Sequence, residues 1–186
     1  VLPFKRVRLA LGMHPLYAEQ HNQEFSLFLK NITKTSYIGE VGLDFSMEGF
    51  ATKETQLNTF EKILDAVADK KKVLSLHSRR AEKEILNFLI IKKIQNAIFH
   101  WYSGPLMLIE RIADAGYYFS VNTSMVDSEW GNKIIKRIPL NKILTETDGP
   151  FTKINGRETV PSDVYFVIKG VAKIKNMEQS EIRDIV

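Results

Sequence analysis

Short apolar runs alternate along the chain with longer segments of helical spacing. The clearest helical segment is 52–70, where Leu57, Phe60, Ile63 and Leu64 recur every three to four residues and share one face. The apolar runs predict six strands, at 7–11, 37–43, 73–77, 97–101, 117–121 and 143–147. The segments between and after them predict helices at 21–32, 52–70, 80–92, 106–115, 132–138, 162–175 and 180–186.

Strands that alternate with helices predict a parallel sheet built from β–α–β units. An open doubly wound sheet and a barrel both fit this order, and the glycine-rich G-x-G-x-x-G motif that would favour the open sheet does not occur. Ionisable residues lie at four predicted strand ends: Glu40, His77, His100 and Asp148. Strand alternation places each on the same side as the residue two before it, as with Ile38 and Glu40. Four strands that bring such groups to one rim indicate the mouth of a (β/α)₈ barrel.

Carboxylate and imidazole groups are ligands for divalent metal ions where no thiolate is available, and the chain has no cysteine. Each residue also has a structural explanation. A histidine at a strand end often makes a structural hydrogen bond, Glu40 can lie exposed at a sheet edge, and Asp148 can begin a turn before Gly149 and Pro150. The four residues together favour a metal site over these separate explanations.

Composition narrows the class of protein. The 186 residues predict a single domain at 1–186, and 44% apolar with 26% charged residues excludes a disordered chain. No apolar stretch reaches the roughly 18–20 residues that span a bilayer, and the start of the chain lacks the apolar run of a signal peptide. The absence of cysteine predicts a cytoplasmic protein without disulfides. A net charge of +4 permits a polyanionic partner without requiring one.

Five short blocks occur in order along nearly the whole chain: GMHP at 12–15, IGEVGLD at 38–44, LHSRRA at 76–81, FHWYSG at 99–104 and TETDGP at 145–150. They resemble the signature blocks of the TatD family of metal-dependent deoxyribonucleases, within the amidohydrolase-like superfamily. The resemblance implies a (β/α)₈ TIM-type barrel with two divalent ions, where Mg, Mn and Zn are not distinguished. Glu40 would bridge the ions, and His77 and His100 would bind the second. Asp148 would bind the first and act as general base, with Glu146 and Asp44 as the next candidates.

The chain departs from the family pattern in two respects. It contains no His-x-His pair, which in the family holds the first metal, and a full barrel takes about 250 residues. We therefore expect a barrel without its first βα unit or units and its last helix, which holds at most one ion tightly. In addition, Gly149 stands where many relatives have Ala, and the residues that follow His100, Trp101 and Tyr102, are both aromatic. These features resemble TatD-like proteins of bacterial anti-phage operons (the Qat-type branch), which implies protein partners from such a defence operon.

The function that the resemblance implies is hydrolysis of DNA phosphodiester bonds. A narrow barrel mouth favours exonucleolytic action on single-stranded or frayed ends. Arg79, His14, Arg157 and Tyr102 are the candidates for contact with substrate phosphate or a base, since an arginine bonds two phosphate oxygens at once. Two alternatives remain: a different metal-dependent hydrolase on the same scaffold, and a catalytically impaired barrel that serves as a subunit of a larger defence assembly.

Overall fold

The computed structural model describes residues 7–186 and contains two compact units, Val1–Ile98 and Phe99–Val186. The segment 1–6, on which the prediction of no signal peptide rests, lies outside the described residues. The first unit contains β1 (Ala10–Met13), α1 (Ala18–Asn31), β2 (Tyr37–Gly42), α2 (Lys53–Val67), β3 (Val73–His77) and α3 (Glu82–Ile91), and β4 (Ala97–Phe99) begins at its end. The second contains α4 (Leu106–Asp114), β5 (Tyr118–Val121), α5 (Thr123–Asp127), α6 (Glu129–Arg137), β6 (Ile143–Thr145), β7 (Lys153–Ile154), β8 (Arg157–Glu158), α7 (Val164–Lys175) and α8 (Gln179–Ile185).

The first unit is a parallel sheet covered by amphipathic helices. Strands β1, β2 and β3 pair in parallel and in chain order, as β–α–β connections require. The predicted apolar stripe of α2 is confirmed for Phe60, Ile63, Leu64 and Val67, which are buried, whereas Leu57 is half-buried. Strand β3 alternates regularly, with Leu74 and Leu76 buried and the residues between them half-exposed. This regular alternation places His77 on the face opposite the two leucines.

Strand β2 departs from regular alternation. Ile38 pairs with Leu74 and Val41 with Leu76, so three steps along β2 match two along β3. The extra residue is a β-bulge, which changes the direction of the side chains around it. Ile38 and Val41 are both buried, whereas Glu40 contacts His77 on the other face. The prediction that Glu40 shares a face with Ile38 is therefore wrong, although Glu40 still reaches the end of β3.

Gly42 ends β2 in a conformation that other residues rarely adopt. Its φ is +142°, and a Cβ there would lie 2.0 Å from the carbonyl oxygen of His77. The chain then runs on beside β3, because Leu43 N–H donates to that carbonyl at 3.0 Å and Phe45 N–H donates to the carbonyl of Arg79 at 3.0 Å. This close approach brings Asp44 to the carboxyl end of β3.

The second unit is built on a parallel pair, β5 and β6, which are in register at Phe119–Ile143 and Val121–Thr145. Its interior contains an aromatic cluster in which Tyr102 lies edge-on to Phe119, with ring centroids 5.3 Å apart. Helix α7 buries Val167 and Val171. The short β7 and β8 form an antiparallel hairpin between β6 and α7.

Six of the strands and most of the helices occur where the sequence predicts them, with different bounds. Strands β4 and β6 end two residues before their predicted ends, so His100 and Asp148 follow the strands rather than close them. The sequence missed α5, which has five residues and no room for an apolar period. It also missed the hairpin of β7 and β8, whose strands have two residues each. Within 7–186, no helix combines the length and the apolar character needed to cross a bilayer.

Candidate functional site

Four side chains at the carboxyl ends of β1, β2 and β3 form what we call the first cluster: His14, Glu40, Asp44 and His77. His77 lies between two carboxylates, with Nδ1 2.8 Å from Glu40 Oε1 and Nε2 2.8 Å from Asp44 Oδ2. His14 Nε2 is 3.7 Å from Glu40 Oε2, and the rings of His14 and His77 meet edge-on at 4.7 Å. The sequence-predicted pair Glu40 and His77 is thus in direct contact.

Asp44 is the buried member of the first cluster, and its side chain is fully enclosed. Its Oδ1 accepts a hydrogen bond from Ser46 N–H at 2.8 Å, and its own N–H donates to Gln56 Oε1 at 2.8 Å. The amide of Gln56 in turn donates to the carbonyl of Gly49 at 2.7 Å. Asp44 therefore has a fixed orientation, set by the loop that follows β2 and by α2.

Two pKa values in this cluster are shifted in the directions that its contacts require. Burial alone raises the pKa of Asp44, but hydrogen bonds from Ser46 and His77 outweigh it and leave that pKa below its usual value. Burial alone lowers the pKa of His77, but the carboxylates of Glu40 and Asp44 outweigh it and leave that pKa above its usual value. Both shifts favour an ionised Asp44 that accepts from the ring.

His14 caps the turn that follows β1. Leu16 N–H donates to His14 Nδ1 at 3.3 Å, so in the neutral ring Nε2 carries the proton and points at Glu40. One ligand atom each from His14, Glu40 and His77 lie within 4.8 Å of one another. Sequence reasoning assigned His14 to phosphate contact and did not place it beside Glu40.

The second cluster consists of His100, Asn122, Glu146 and Asp148, each of which follows β4, β5 or β6. His100 Nδ1 lies 2.7 Å from Glu146 Oε2, and His100 Nε2 lies 3.5 Å from Asp148 Oδ1. Asn122 Nδ2 donates to Glu146 Oε1 at 3.2 Å. The structure therefore brings together the predicted residues His100 and Asp148, and it adds Glu146 and Asn122.

Asn122 is a site residue that the sequence analysis missed. It is fully buried, and its Oδ1 accepts Met125 N–H at 3.1 Å and so caps α5. One side chain thus starts a helix and also orients Glu146. The signal in the sequence is an asparagine directly after an apolar strand, a position typical of helix caps.

The loop after Asp148 explains the glycine at 149. A Cβ at Gly149 would lie 2.0 Å from the carbonyl oxygen of Thr159, so an alanine there requires the backbone of one segment to move. Thr159 Oγ1 donates to the carbonyl of Thr147 at 3.0 Å, and Thr152 Oγ1 donates to the same carbonyl. These contacts fix the segment that carries Asp148.

The three other predicted substrate contacts differ in their access to solvent. Arg79 is half-exposed and pairs with Glu48, Nη1 to Oε2, at 2.8 Å. Tyr102 is fully buried and its hydroxyl donates to the carbonyl of Pro105 at 2.7 Å. Since Tyr102 offers no surface, we propose no substrate contact for it, which differs from the prediction from sequence.

Arg157 makes two parallel bonds to Asp163, Nη1 to Oδ2 and Nη2 to Oδ1, both at 2.7 Å. Oδ2 of Asp163 also accepts Val160 N–H at 2.8 Å. The guanidinium of Arg157 holds the pKa of the Asp163 carboxyl at about 2, against an ordinary value of 3.8. This geometry joins the hairpin to the start of α7, so Arg157 has a structural partner in addition to its predicted role.

Arg157→Ala is expected to lower the thermal stability of the protein, because it leaves the Asp163 carboxylate without its bidentate partner. A carboxyl whose pKa is lowered by folding stabilises the protein above its unfolded pKa. The contribution disappears as the pH falls from about 3.8 towards about 2. Melting curves should therefore separate Arg157→Ala from the unsubstituted protein at neutral pH and converge in acid. Curves that differ equally at every pH would contradict this explanation.

The first cluster has a donor set that fits a divalent metal ion, because one ligand atom each of His14, Glu40 and His77 lies within 4.8 Å of the others. Its imidazole nitrogens and carboxylate oxygens suit Mg, Mn or Zn. The second cluster has the same two kinds of donor and also the amide of Asn122. In each, a carboxylate behind an imidazole supplies the outer contact that metal-binding histidines usually have. The described residues thus provide a chemically suitable environment for the metal that the resemblance implies.

Comparisons with known proteins agree with this arrangement. The profile of the family described as TatD related DNase matches residues 3–186. An uncharacterized metal-dependent hydrolase of Methanocaldococcus jannaschii is 31% identical over 185 residues, which cover 97% of this chain and 72% of the relative. A protein of Homo sapiens named deoxyribonuclease TATDN3 is 26% identical over 194 residues, with 94% and 69% covered. The chain spans 72%, 66% and 65% of the length of three such relatives.

A solved structure also shares the fold. A TatD homolog from Escherichia coli superposes with a TM-score of 0.85 at 24% identity, over 98% of this chain and 74% of that one. The likeness and the strand–helix order confirm the predicted fold class, which is α/β and of the TIM-barrel type with some units lacking.

Proposed function

Since the chain belongs to the TatD family of metal-dependent hydrolases, we propose that it hydrolyses phosphodiester bonds in DNA. The observation that carries the proposal is the first cluster, where Glu40 and His77 contact each other at 2.8 Å beside His14. Relatives with this family's sequence are named deoxyribonucleases, which supports DNA as the substrate. The net charge of +4 agrees with a polyanionic substrate.

The residues of the two clusters have distinct roles in this proposal. Glu40, His77 and His100 would hold one divalent ion, and Glu40 and Asp148 would hold the other where two are bound. A bound divalent ion lowers the pKa of water and neutralises charge on a phosphodiester. Asp148 takes the proton from the attacking water as general base. The sharing of one ion by His77 and His100, and the presence of two ions, stay predictions from the family resemblance.

His14 and Arg79 orient the substrate in this proposal. The proton on His14 Nε2 suits donation to a phosphate oxygen better than coordination of a metal. Arg79 follows β3 by two residues, and its exposed ion pair with Glu48 contributes little to stability. The planar guanidinium is therefore available to exchange one carboxylate for a phosphate.

Arg79→Ala is expected to raise KM for a short DNA strand and to leave kcat nearly unchanged. A phosphate contact that is present in both ground and transition states contributes uniform binding. The slope of log KM against log salt should also decrease, because one fewer phosphate is neutralised. Steady-state kinetics over a salt series measure both effects, with Arg80→Ala as the neighbouring exposed control. A fall in kcat with constant KM would assign Arg79 to the chemical step instead.

We further propose an exonucleolytic mode on single-stranded or frayed ends, a cytoplasmic location, and partners from a bacterial defence operon. The first rests on the expected narrow mouth of a barrel, the second on the absence of cysteine, and the third on Gly149 and the Trp101–Tyr102 pair. Each is a prediction from sequence features.

The test is nuclease activity of the full-length protein on end-labelled single-stranded and duplex DNA, with and without a chelator. We expect metal-dependent loss of mononucleotides from the end of the single strand, and restoration when Mg²⁺ or Mn²⁺ is added back. Internal cuts would overturn the exonucleolytic mode. Absence of DNA cleavage together with metal-dependent hydrolysis of a carboxylic ester would favour a different hydrolase on this scaffold.

A further inference from the structure

Asp44 lies behind the imidazole of the first cluster and outside the ligand set that the resemblance assigns. Its Oδ2 is 2.8 Å from His77 Nε2, while the opposite nitrogen, Nδ1, faces Glu40 Oε1 at 2.8 Å. Asp44 is fully enclosed, whereas His77 and Glu40 are part-exposed. The ring thus has an inner nitrogen that meets a buried acceptor and an outer nitrogen that faces the open side of the cluster.

In the second cluster, Glu146 and Asp148 contact opposite nitrogens of His100, and their side chains are equally exposed, 18% each. Glu146 Oε2 is 2.7 Å from His100 Nδ1, and the opposite nitrogen, Nε2, faces Asp148 Oδ1 at 3.5 Å. The nitrogen that meets the closer carboxylate is Nδ1 in His100, whereas the nitrogen that meets the buried carboxylate is Nε2 in His77. Each ring is therefore held by a carboxylate outside the assigned ligand set, and the two rings use opposite nitrogens for this contact.

We propose that Asp44 and Glu146 are positioning residues that select the metal-binding nitrogen of each ring, Nδ1 in His77 and Nε2 in His100. A carboxylate that accepts a hydrogen bond from an imidazole keeps the ring proton on the nitrogen that faces it. The resemblance assigns Glu40 and Asp148 to the metal, so the nitrogen that faces either of them would lose its proton when the metal binds, whereas the nitrogen that faces Asp44 or Glu146 would keep its own. The opposite nitrogen then presents its lone pair, and the carboxylate increases its basicity. The inference rests on the proposed function only in taking both rings as metal ligands.

The second oxygen of each positioning carboxylate makes the proposal testable. Asp44 Oδ1 accepts Ser46 N–H at 2.8 Å, and Glu146 Oε1 accepts Asn122 Nδ2 at 3.2 Å. In Asp44→Asn or Glu146→Gln, the amide oxygen stays with that donor. The amide nitrogen then faces the imidazole and donates to it, which moves the ring proton to the metal-binding nitrogen.

The first measurement is calorimetric titration of the full-length protein with Mn²⁺ alone. We expect Asp44→Asn and Glu146→Gln each to raise the Kd for Mn²⁺ about 10–100-fold, as other outer contacts of metal-bound histidine do. The matched controls are Glu48→Gln and Glu129→Gln, which remove the same charge from exposed positions and should leave that Kd unchanged. Unchanged Mn²⁺ affinity in both positioning variants would overturn the proposal.

The second measurement reads the ring nitrogens directly, in the unsubstituted protein loaded with Zn²⁺ and labelled with ¹⁵N-histidine. Long-range ¹H–¹⁵N spectra should show the proton on Nε2 of His77 and on Nδ1 of His100, and the opposite assignment in either ring overturns that half of the proposal. This spectrum decides the matter even where a variant does not fold. Both measurements omit DNA, so a protein with these signatures that leaves DNA intact would overturn the nuclease proposal alone.

Discussion

Glu40→Gln is expected to abolish tight metal binding and, with it, nuclease turnover. Glu40 is the carboxylate of the first cluster that faces both imidazoles, with Oε1 2.8 Å from His77 Nδ1 and Oε2 3.7 Å from His14 Nε2. An amide keeps the shape of the side chain but loses the charge that a hard divalent cation requires. We expect the Kd for Mn²⁺ to rise by more than the roughly 100-fold that the loss of an outer contact causes.

The measurement is titration with Mn²⁺ followed by kinetics on a labelled single strand at rising metal concentration. Glu129→Gln is the matched control, because it removes the same charge from an exposed position in the first turn of α6. If Glu40→Gln binds Mn²⁺ as tightly as the control, the first cluster does not hold the metal.

His77 and Glu40 differ in how far the sequence alone predicts their positions. Strand β3 alternates without interruption, so the face of His77 follows from counting residues. Strand β2 contains the bulge between Ile38 and Val41, and counting then assigns Glu40 to the wrong face. A glycine inside a strand is the available sign of such a bulge, and Gly39 stands at that position.

The outer contacts of the site were less predictable than its central residues. Asp44 and Glu146 were recognised only as alternative bases, because their function depends on distances across strands that no local pattern encodes. Asn122 caps α5 and orients Glu146, and the five residues of α5 contain no apolar period that would reveal the helix. Tyr102 was predicted to contact the substrate, but the turn after β4 directs it into the aromatic core.

The structure also narrows the choice of general base. Both oxygens of Glu146 have partners, His100 and Asn122, and both oxygens of the buried Asp44 have partners, His77 and Ser46. A base must reach a water molecule beside the substrate, and the fully enclosed side chain of Asp44 does not. Glu146 and Asp148 are equally exposed, 18% each, and both contact His100, at 2.7 Å and 3.5 Å. We propose Asp148 as the base because the family resemblance assigns it that role.

Asp148→Asn is accordingly expected to lower kcat by about 10²–10⁴-fold, the usual contribution of general-base assistance. A base acts on a proton that moves only in the transition state, so KM should change little. Steady-state kinetics of the full-length protein on a short single strand measure both parameters. The matched control is Asp114→Asn, which is exposed at the end of α4.

Mn²⁺ titration of Asp148→Asn separates loss of the base from loss of a metal ligand, since only the latter weakens metal binding. A near-native kcat in Asp148→Asn would remove Asp148 from the chemical step and direct the search for the base to Glu146.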